Sequence, residues 1–179
     1  MLYSTHYLSP LGKLTLACDA RNIVGLWLEG QKYYAATVHD HLEEKTDTPV
    51  LALARTWLDA YFAGERPAIS DIPLAPQGSP FRQAVWKILC AIPYGHCITY
   101  GEIARQLATA TRKKSMSSQA VGGAVGHNPI SIIIPCHRVV GSNGSLTGYA
   151  GGISKKITLL EWEGVDTTHF FVPCKGTAL

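Results

Sequence analysis

A chain of 179 residues can bury one or two cores of ordinary size without disulfide or metal staples, which excludes a mini-protein. Its 46% hydrophobic and 16% charged residues are those of a globular protein, and uncharged apolar stretches such as Ile130-Ser131-Ile132-Ile133-Ile134 fall far short of a membrane span. The net charge of +3 hides an asymmetry: residues 1–80 carry 6 Lys or Arg against 9 Asp or Glu, a balance of −3, and residues 81–179 carry 10 against 4, a balance of +6. The C-terminal half therefore suits a polyanion and the N-terminal half does not.

The N-terminus, Met1-Leu2-Tyr3-Ser4-Thr5-His6, lacks the basic and apolar regions of a secretory signal, so a cytoplasmic chain with reduced thiols is expected. Five cysteines, at 18, 90, 97, 136 and 174, are odd in number and form no C-x-x-C pair. That argues against a disulfide framework and a zinc knuckle, and no metal site is expected.

In chain order, residues 3–8, 12–18 and 23–28 alternate apolar with polar positions around turns at Ser9-Pro10-Leu11-Gly12 and Asp19-Ala20-Arg21-Asn22, predicting a small antiparallel sheet. Thr48 caps a helix with Pro49 in its first turn. Its apolar stripe, Leu51, Ala54, Leu58, Tyr61 and Phe62, should cover the sheet before Gly64 ends it. These elements make an N-terminal domain over residues 1–70, and the Pro- and Gly-rich stretch 71–78 reads as a linker.

Residues 79–179 form the second domain. Ser79 and Pro80 start a helix with Phe81, Val85, Ile88, Leu89 and Ile92 on one face, stopped at Pro93-Tyr94-Gly95. Thr99 and Glu102 have capping-box spacing and start a short helix through Leu107, and a basic loop leads to another helix near Ser117–Gly126. Helix, turn and helix resemble a helix-turn-helix. Asn143-Gly144 between Val139-Val140 and Leu146 is a two-residue hairpin signal suited to a wing. A last helix, with Ile153, Ile157 and Leu160 on its buried stripe, ends at Gly164.

The chemistry concentrates at Pro135-Cys136-His137-Arg138-Val139-Val140, where a cysteine leaves a buried segment with a histidine beside it. A free thiol with a pKa of about 8.5 is only a few per cent thiolate at neutral pH, and a base within reach makes it a nucleophile. Glu163 follows Leu160 by three residues, so its carboxylate should point inward, where His137 could partner and orient it. The same spacing also suits a structural cysteine beside a satisfied core histidine. Residues 117–126 hold few large side chains, which suits either close backbone approach to a minor groove or tight helix packing.

Ala120-Val121-Gly122-Gly123, Asn128-Pro129-Ile130, Ile134-Pro135-Cys136-His137-Arg138-Val139-Val140 and Gly148-Tyr149-Ala150-Gly151-Gly152 resemble the O6-alkylguanine-DNA alkyltransferase family. The likeness runs from about Ser79 to Gly164, whereas residues 1–70 agree only in general layout. It implies an α+β fold: an N-terminal ribonuclease-H-like antiparallel sheet with a helix, and a C-terminal winged helix-turn-helix domain.

The resemblance further implies a DNA repair methyltransferase in which Cys136 accepts the alkyl group irreversibly, once per molecule and without a cofactor. His137 would take the thiol proton through a water, and Glu163 would hold the imidazole. Tyr100 would donate to the guanine ring, and Asn128 would be the hinge after the recognition helix. Tyr149 would wall the pocket, while the Val139 carbonyl and Ala150 amide contact the base edges. DNA contacts would come from Gln119, Ala120, Gly122, Ser142, Gly101 and Arg112. The partner would be double-stranded DNA carrying O6-alkylguanine, with O4-alkylthymine a further possible lesion, bound by a monomer with no membrane involvement.

The target atom is closed off inside a duplex, so the nucleotide must be rotated out. Most relatives place an arginine immediately before Ala-Val-Gly to fill the vacated stack, and this chain has Gln119. The segment between Tyr100 and Gln119 is several residues longer than usual and carries Arg112-Lys113-Lys114, either a set of phosphate contacts or a solvated loop.

Overall fold

The alternating pattern of the first thirty residues folds as a meander of β1 (Leu2–Ser9), β2 (Gly12–Cys18) and β3 (Ile23–Leu28), with Tyr3 opposite Cys18 and Leu16 opposite Leu26. Turn chemistry sets these pairings. The Ser9 hydroxyl donates to the Gly12 carbonyl at 2.7 Å, and Asp19 Oδ1 accepts the amides of Arg21 and Asn22, both at 2.7 Å. The computed structural model describes residues 1–38 and 41–174, which divide into two units.

The first unit comprises Met1–Gly78 and Pro129–Ile133. A short strand, β4 (Leu42–Glu44), extends the sheet to the order β3-β2-β1-β4 and runs parallel to β1, so the sheet is mixed rather than wholly antiparallel. Three residues reading Leu-Glu-Glu carry no alternation to predict it. Helix α1 (Pro49–Phe62) is capped by Thr48, whose Oγ1 accepts the Leu51 amide at 3.2 Å. It buries Leu51, Ala54, Trp57, Leu58 and Tyr61 against the sheet, with Trp57 replacing the expected Phe62.

All six residues of β3 are buried, and its outer edge needs partners for its backbone groups. Residues 71–78, expected as a linker, supply some: the Ile23 amide donates to Pro73 O at 2.8 Å, and the Ala75 amide donates to Ile23 O at 2.9 Å. Residues 129–133, expected in the second domain, supply the rest through Leu26, whose amide donates to Pro129 O and whose carbonyl accepts the Ser131 amide, both at 2.9 Å. Buried Gln31 secures this segment, its Oε1 accepting the Leu28 amide and the Ser131 hydroxyl, each at 3.0 Å.

The second unit comprises Ser79–Asn128 and the chain from Ile134 onward. Ser79 caps α2 (Pro80–Cys90), which buries Val85, Trp86 and Leu89. The Thr99–Glu102 capping box forms in full at the start of α3 (Tyr100–Ala110), which runs three residues beyond the expected Leu107. Ser117 caps α4 (Ser118–Gly126), whose small residues let the Trp86 indole reach in and donate to Ala124 O at 2.9 Å. A two-stranded parallel pair, β5 (Ile98–Thr99) with β6 (Val139–Val140), leads toward α5 (Ile153–Trp162).

The hairpin expected at Asn143-Gly144 is replaced by another arrangement. β6 pairs with β5, the turn at 141–145 closes through Gly144 N to Gly141 O at 3.0 Å and Gly141 N to Ser145 O at 2.8 Å, and Ser145 then bridges Phe171 in the C-terminal tail, with the Leu146 amide donating to Phe171 O at 2.9 Å. A local turn signal brings two flanking segments close without deciding which strand each one joins. Among the described residues no helix is long and apolar enough to cross a membrane.

Gly25 shows how closely the first unit is packed, because a Cβ there would stand 2.0 Å from the Trp27 ring. Gly25→Ala is expected to destabilise the protein by about 1–3 kcal/mol through overpacking, read as a lowered Tm in thermal unfolding. An unchanged Tm would show that the indole can move aside.

Candidate active site

Cys136 opens a 3-10 turn, Cys136–Arg138, directly after an inverse γ-turn centred on Pro135, whose φ is −81° and ψ 65°. The Ile134 carbonyl accepts the Cys136 amide at 2.8 Å and Asn128 Nδ2 at 2.8 Å. Asn128, buried just past the end of α4, thus pins the approach to the cysteine. Cys136 is only 4% exposed, and burial pushes its thiol pKa up. The Asn128 amide, the Lys156 charge and the amides of Cys136 and His137 pull in the other direction without cancelling the effect of burial. The resting group is therefore a thiol that needs a base.

A candidate for that base lies next in the chain. His137 is fully buried and its Nε2–H donates to Glu163 Oε1 at 2.7 Å. A carboxylate only accepts, so the proton sits on Nε2 and the lone pair of the neutral ring on Nδ1. Nδ1 has no hydrogen-bond partner among the described residues. Burial holds the imidazole below its usual pKa, with Arg138 and Lys156 adding to the effect and Glu163 opposing it.

Glu163 is the C-cap residue of α5. Arg138 Nε donates to its Oε2 at 2.8 Å and Nη2 to its Oε1 at 3.0 Å, while the Gly95 amide donates to Oε2 at 3.3 Å. Gly95 has φ +75°, and a Cβ there would meet the Glu163 backbone oxygen at 2.9 Å, so a side chain is excluded at this approach. Burial alone would raise the Glu163 pKa, but the hydrogen bonds from His137 and Arg138 and the Arg138 charge outweigh it and hold the carboxyl far below the usual range.

Of the other expected site residues, Tyr100 meets a carbonyl that a buried lysine also reaches. Tyr100, half-buried in the first turn of α3, donates its hydroxyl to Thr147 O at 2.9 Å, and Lys156 Nζ donates to the same oxygen at 2.9 Å. Burial, with Cys136 nearby, pushes the Tyr100 pKa up, so the phenol keeps its proton. Gly148, at φ +73°, is required where it stands, since a Cβ would lie 2.8 Å from the Tyr100 hydroxyl. Tyr149 is buried with its hydroxyl unpartnered, and Ala150 is half-buried beside it. The Val139 carbonyl, expected to meet a base edge, accepts Lys156 Nζ at 2.5 Å.

The expected DNA-contact residues lie elsewhere. Gln119 and Ala120 are exposed in the first turn of α4, and Gly122 is half-buried with the Tyr100 ring 3.9 Å from where its Cβ would stand. Gly101 is half-buried at the start of α3, Ser142 is exposed in the 141–144 turn, and Arg112 is exposed after α3 with φ 52°. The structure thus brings Cys136, His137, Glu163, Asn128, Tyr100, Tyr149 and Val139 into one neighbourhood, with Ala150 next to Tyr149, and leaves Gln119, Ala120, Ser142 and Arg112 exposed.

Sequence reasoning missed two buried cations. Arg138 follows Cys136-His137 directly, and Lys156 lies three residues after Ile153 and four before Leu160, on the buried face of α5. A charge on an apolar stripe was the available signal. Burial lowers the Lys156 pKa to about 8, with Cys136 and Cys97 opposing. Among the described residues no group of three or more His, Cys, Asp or Glu could hold a metal ion.

Comparison with known proteins follows this division of the chain. Residues 2–76 match the family described as "6-O-methylguanine DNA methyltransferase, ribonuclease-like domain", and residues 80–165 match "6-O-methylguanine DNA methyltransferase, DNA binding domain". The chain belongs to the O6-methylguanine-DNA methyltransferase family. Within this family, the methylated-DNA–protein-cysteine methyltransferase of Haemophilus influenzae is 40% identical over 164 residues, covering 92% of this chain and 87% of that protein. The enzyme of the same name from Mycobacterium tuberculosis is 44% identical over 155 residues, covering 87% and 88%. The crystal structure of M. tuberculosis OGT in complex with DNA superposes with a TM-score of 0.77 at 40% identity, covering 96% of each chain. These likenesses agree with the two-part α+β fold read from the sequence.

Glu163→Gln removes the counter-ion of Arg138 and is expected to destabilise the fold by roughly 3–5 kcal/mol. The folded carboxyl pKa lies below its unfolded value of about 4.3, so the charge contributes fully above that pH and its contribution is lost as pH falls through the lower folded value. Urea unfolding at a series of acidic pH values should show this loss in the wild type and its absence in the variant. Equal acid sensitivity of the two proteins would contradict the assignment.

Proposed function

We propose that this protein repairs DNA by moving an alkyl group from O6 of guanine to its own Cys136, once per molecule. The observation that carries this reading is the buried His137–Glu163 pair beside buried Cys136, with the histidine proton directed at the carboxylate and Nδ1 left to accept. His137 takes the thiol proton, directly or through one water. The thiolate sulfur attacks the carbon bound to O6, the carbon–oxygen bond breaks, and its electron pair leaves on guanine. The Tyr100 hydroxyl, turned from Thr147 O to a guanine ring nitrogen, donates to the charge that develops there. The product is a thioether with no facile hydrolysis, so the cysteine is not regenerated.

The thiol of buried Cys136 cannot reach a base stacked inside a duplex, so the damaged nucleotide is swung out toward Cys136 and Tyr149. Asn128 acts as the hinge that keeps the Cys136 turn in place, and the Val139 carbonyl and Ala150 amide lie at the base edge. Capped α4, with Gln119 and Ala120 exposed in its first turn, enters the minor groove. Gly101, Gly122 and Ser142 flank that approach, and Arg112 with its basic neighbours meets phosphates. The protein acts as a monomer on DNA in the cytoplasm.

Incubation with an O6-methylguanine duplex should add the mass of one methylene to the intact protein, located on Cys136 by peptide mapping, and Cys136→Ser should add none. Repeated turnover of an acyl substrate, or tight binding without a mass change, would refute the transfer. Gln119 is shorter than arginine and uncharged, so Gln119→Arg is expected to speed transfer from duplex and to raise DNA affinity by up to about tenfold, or roughly 1.4 kcal/mol. Unchanged rate and affinity would show that glutamine holds the extruded state equally well.

A further inference from the structure

Arg138 takes no part in the transfer, yet its side chain is buried beside the groups that do. Its guanidinium spans both oxygens of Glu163, and Nη1 donates to the Ile92 carbonyl at 2.6 Å. The Tyr94 ring lies against it, centroid 5.7 Å from the guanidinium carbon. Four of the contacts that hold this side chain are thus fixed by backbone, ring and carboxylate, and the planar fork admits little other placement.

The consequence concerns charge. A buried histidine paired with a lone carboxylate is most stable as imidazolium and carboxylate, because neutral histidine would leave an isolated buried anion. An imidazolium carries protons on both nitrogens and cannot accept another. Arginine and glutamate together are already neutral, and a proton added to His137 would then create a net buried cation.

We propose that Arg138 is a positioning residue that neutralises Glu163, so that the carboxylate orients the His137 ring without making it an imidazolium and Nδ1 stays open to the Cys136 proton. The use of that open nitrogen rests on the alkyl-transfer reading; the charge balance does not. The groups around the His137–Glu163 pair agree with this arrangement. Lys156 from α5 is a second cation and acts in the same direction, Cys136 and Cys97 are kept as thiols by burial, and Tyr149 is kept as a phenol. Glu163 is therefore the one anion near the ring among these groups, and Arg138 is bound to it on two edges.

The test is an NMR titration of His137 in the full chain, run beside the pH dependence of methyl transfer from an O6-methylguanine duplex. Arg138→Met should raise the His137 midpoint by about one to three pH units and shift the acid limb of the transfer profile upward with it. Arg138→Lys, which keeps the charge, should stay near the wild-type midpoint. The double variant Arg138→Met with Glu163→Gln, which removes both charges, should bring the midpoint back down. If Arg138→Met does not fold, Arg138→Gln, which keeps a donor for Ile92 O, carries the same expectation.

A folded Arg138→Met or Arg138→Gln protein with an unshifted midpoint would overturn the proposal, as would Arg138→Lys shifting as far as Arg138→Met. A shifted midpoint in a protein that never accepts a methyl group would support the charge balance and refute the transfer reading. The two failures are therefore distinguishable.

Discussion

One carboxylate organises the second unit. Glu163 accepts His137 on one oxygen and Gly95 on the other, and Arg138 reaches both. An unpaired ion at this depth would be too costly to keep, so its partners must be held at hydrogen-bonding distance, and they come from two distant parts of the chain. Gly95 closes α2's exit, His137 and Arg138 form the 3-10 turn, and Glu163 caps α5. Satisfying one charge thus ties together three segments that share no regular secondary structure.

A second polar junction does the same for the loop between β6 and α5. The Thr147 carbonyl takes both Tyr100 from α3 and Lys156 from α5, and Lys156 also holds Val139. The loop between β6 and α5 carries little regular hydrogen bonding of its own, so these side chains stand in for a sheet. Gly148 lets the Tyr100 hydroxyl approach where any side chain would collide. Buried donors on α3 and α5 thus reach loop carbonyls, which gives buried Lys156 its partners.

Much of this was readable before folding. Ser79, Thr99 and Ser117 announce their helices because capping is a contact within four residues, and the Asp19 and Ser9 turns are equally local. The inward direction of Glu163 followed from its place on an apolar stripe. Lys156 on the same stripe was passed over because long basic side chains usually escape to solvent, and only the carbonyls waiting at Val139 and Thr147 keep it inside. β4, the partner of β6 and the covering of the β3 edge were not readable, since each depends on which backbone groups remain unpaired once distant segments meet.

By itself the sequence determined the helices, their caps, the strand meander and the chemical identity of a cysteine, a histidine and a glutamate at suggestive spacings, because these are properties of neighbours along the chain. Only the tertiary structure decided that the glutamate is shared with Arg138, that the histidine Nε2 meets that glutamate, and that a buried lysine joins the Val139 and Thr147 carbonyls. The balance of a buried charge depends on every group within a few ångströms, and those groups are brought together from residues 92 to 163 by packing rather than by sequence order.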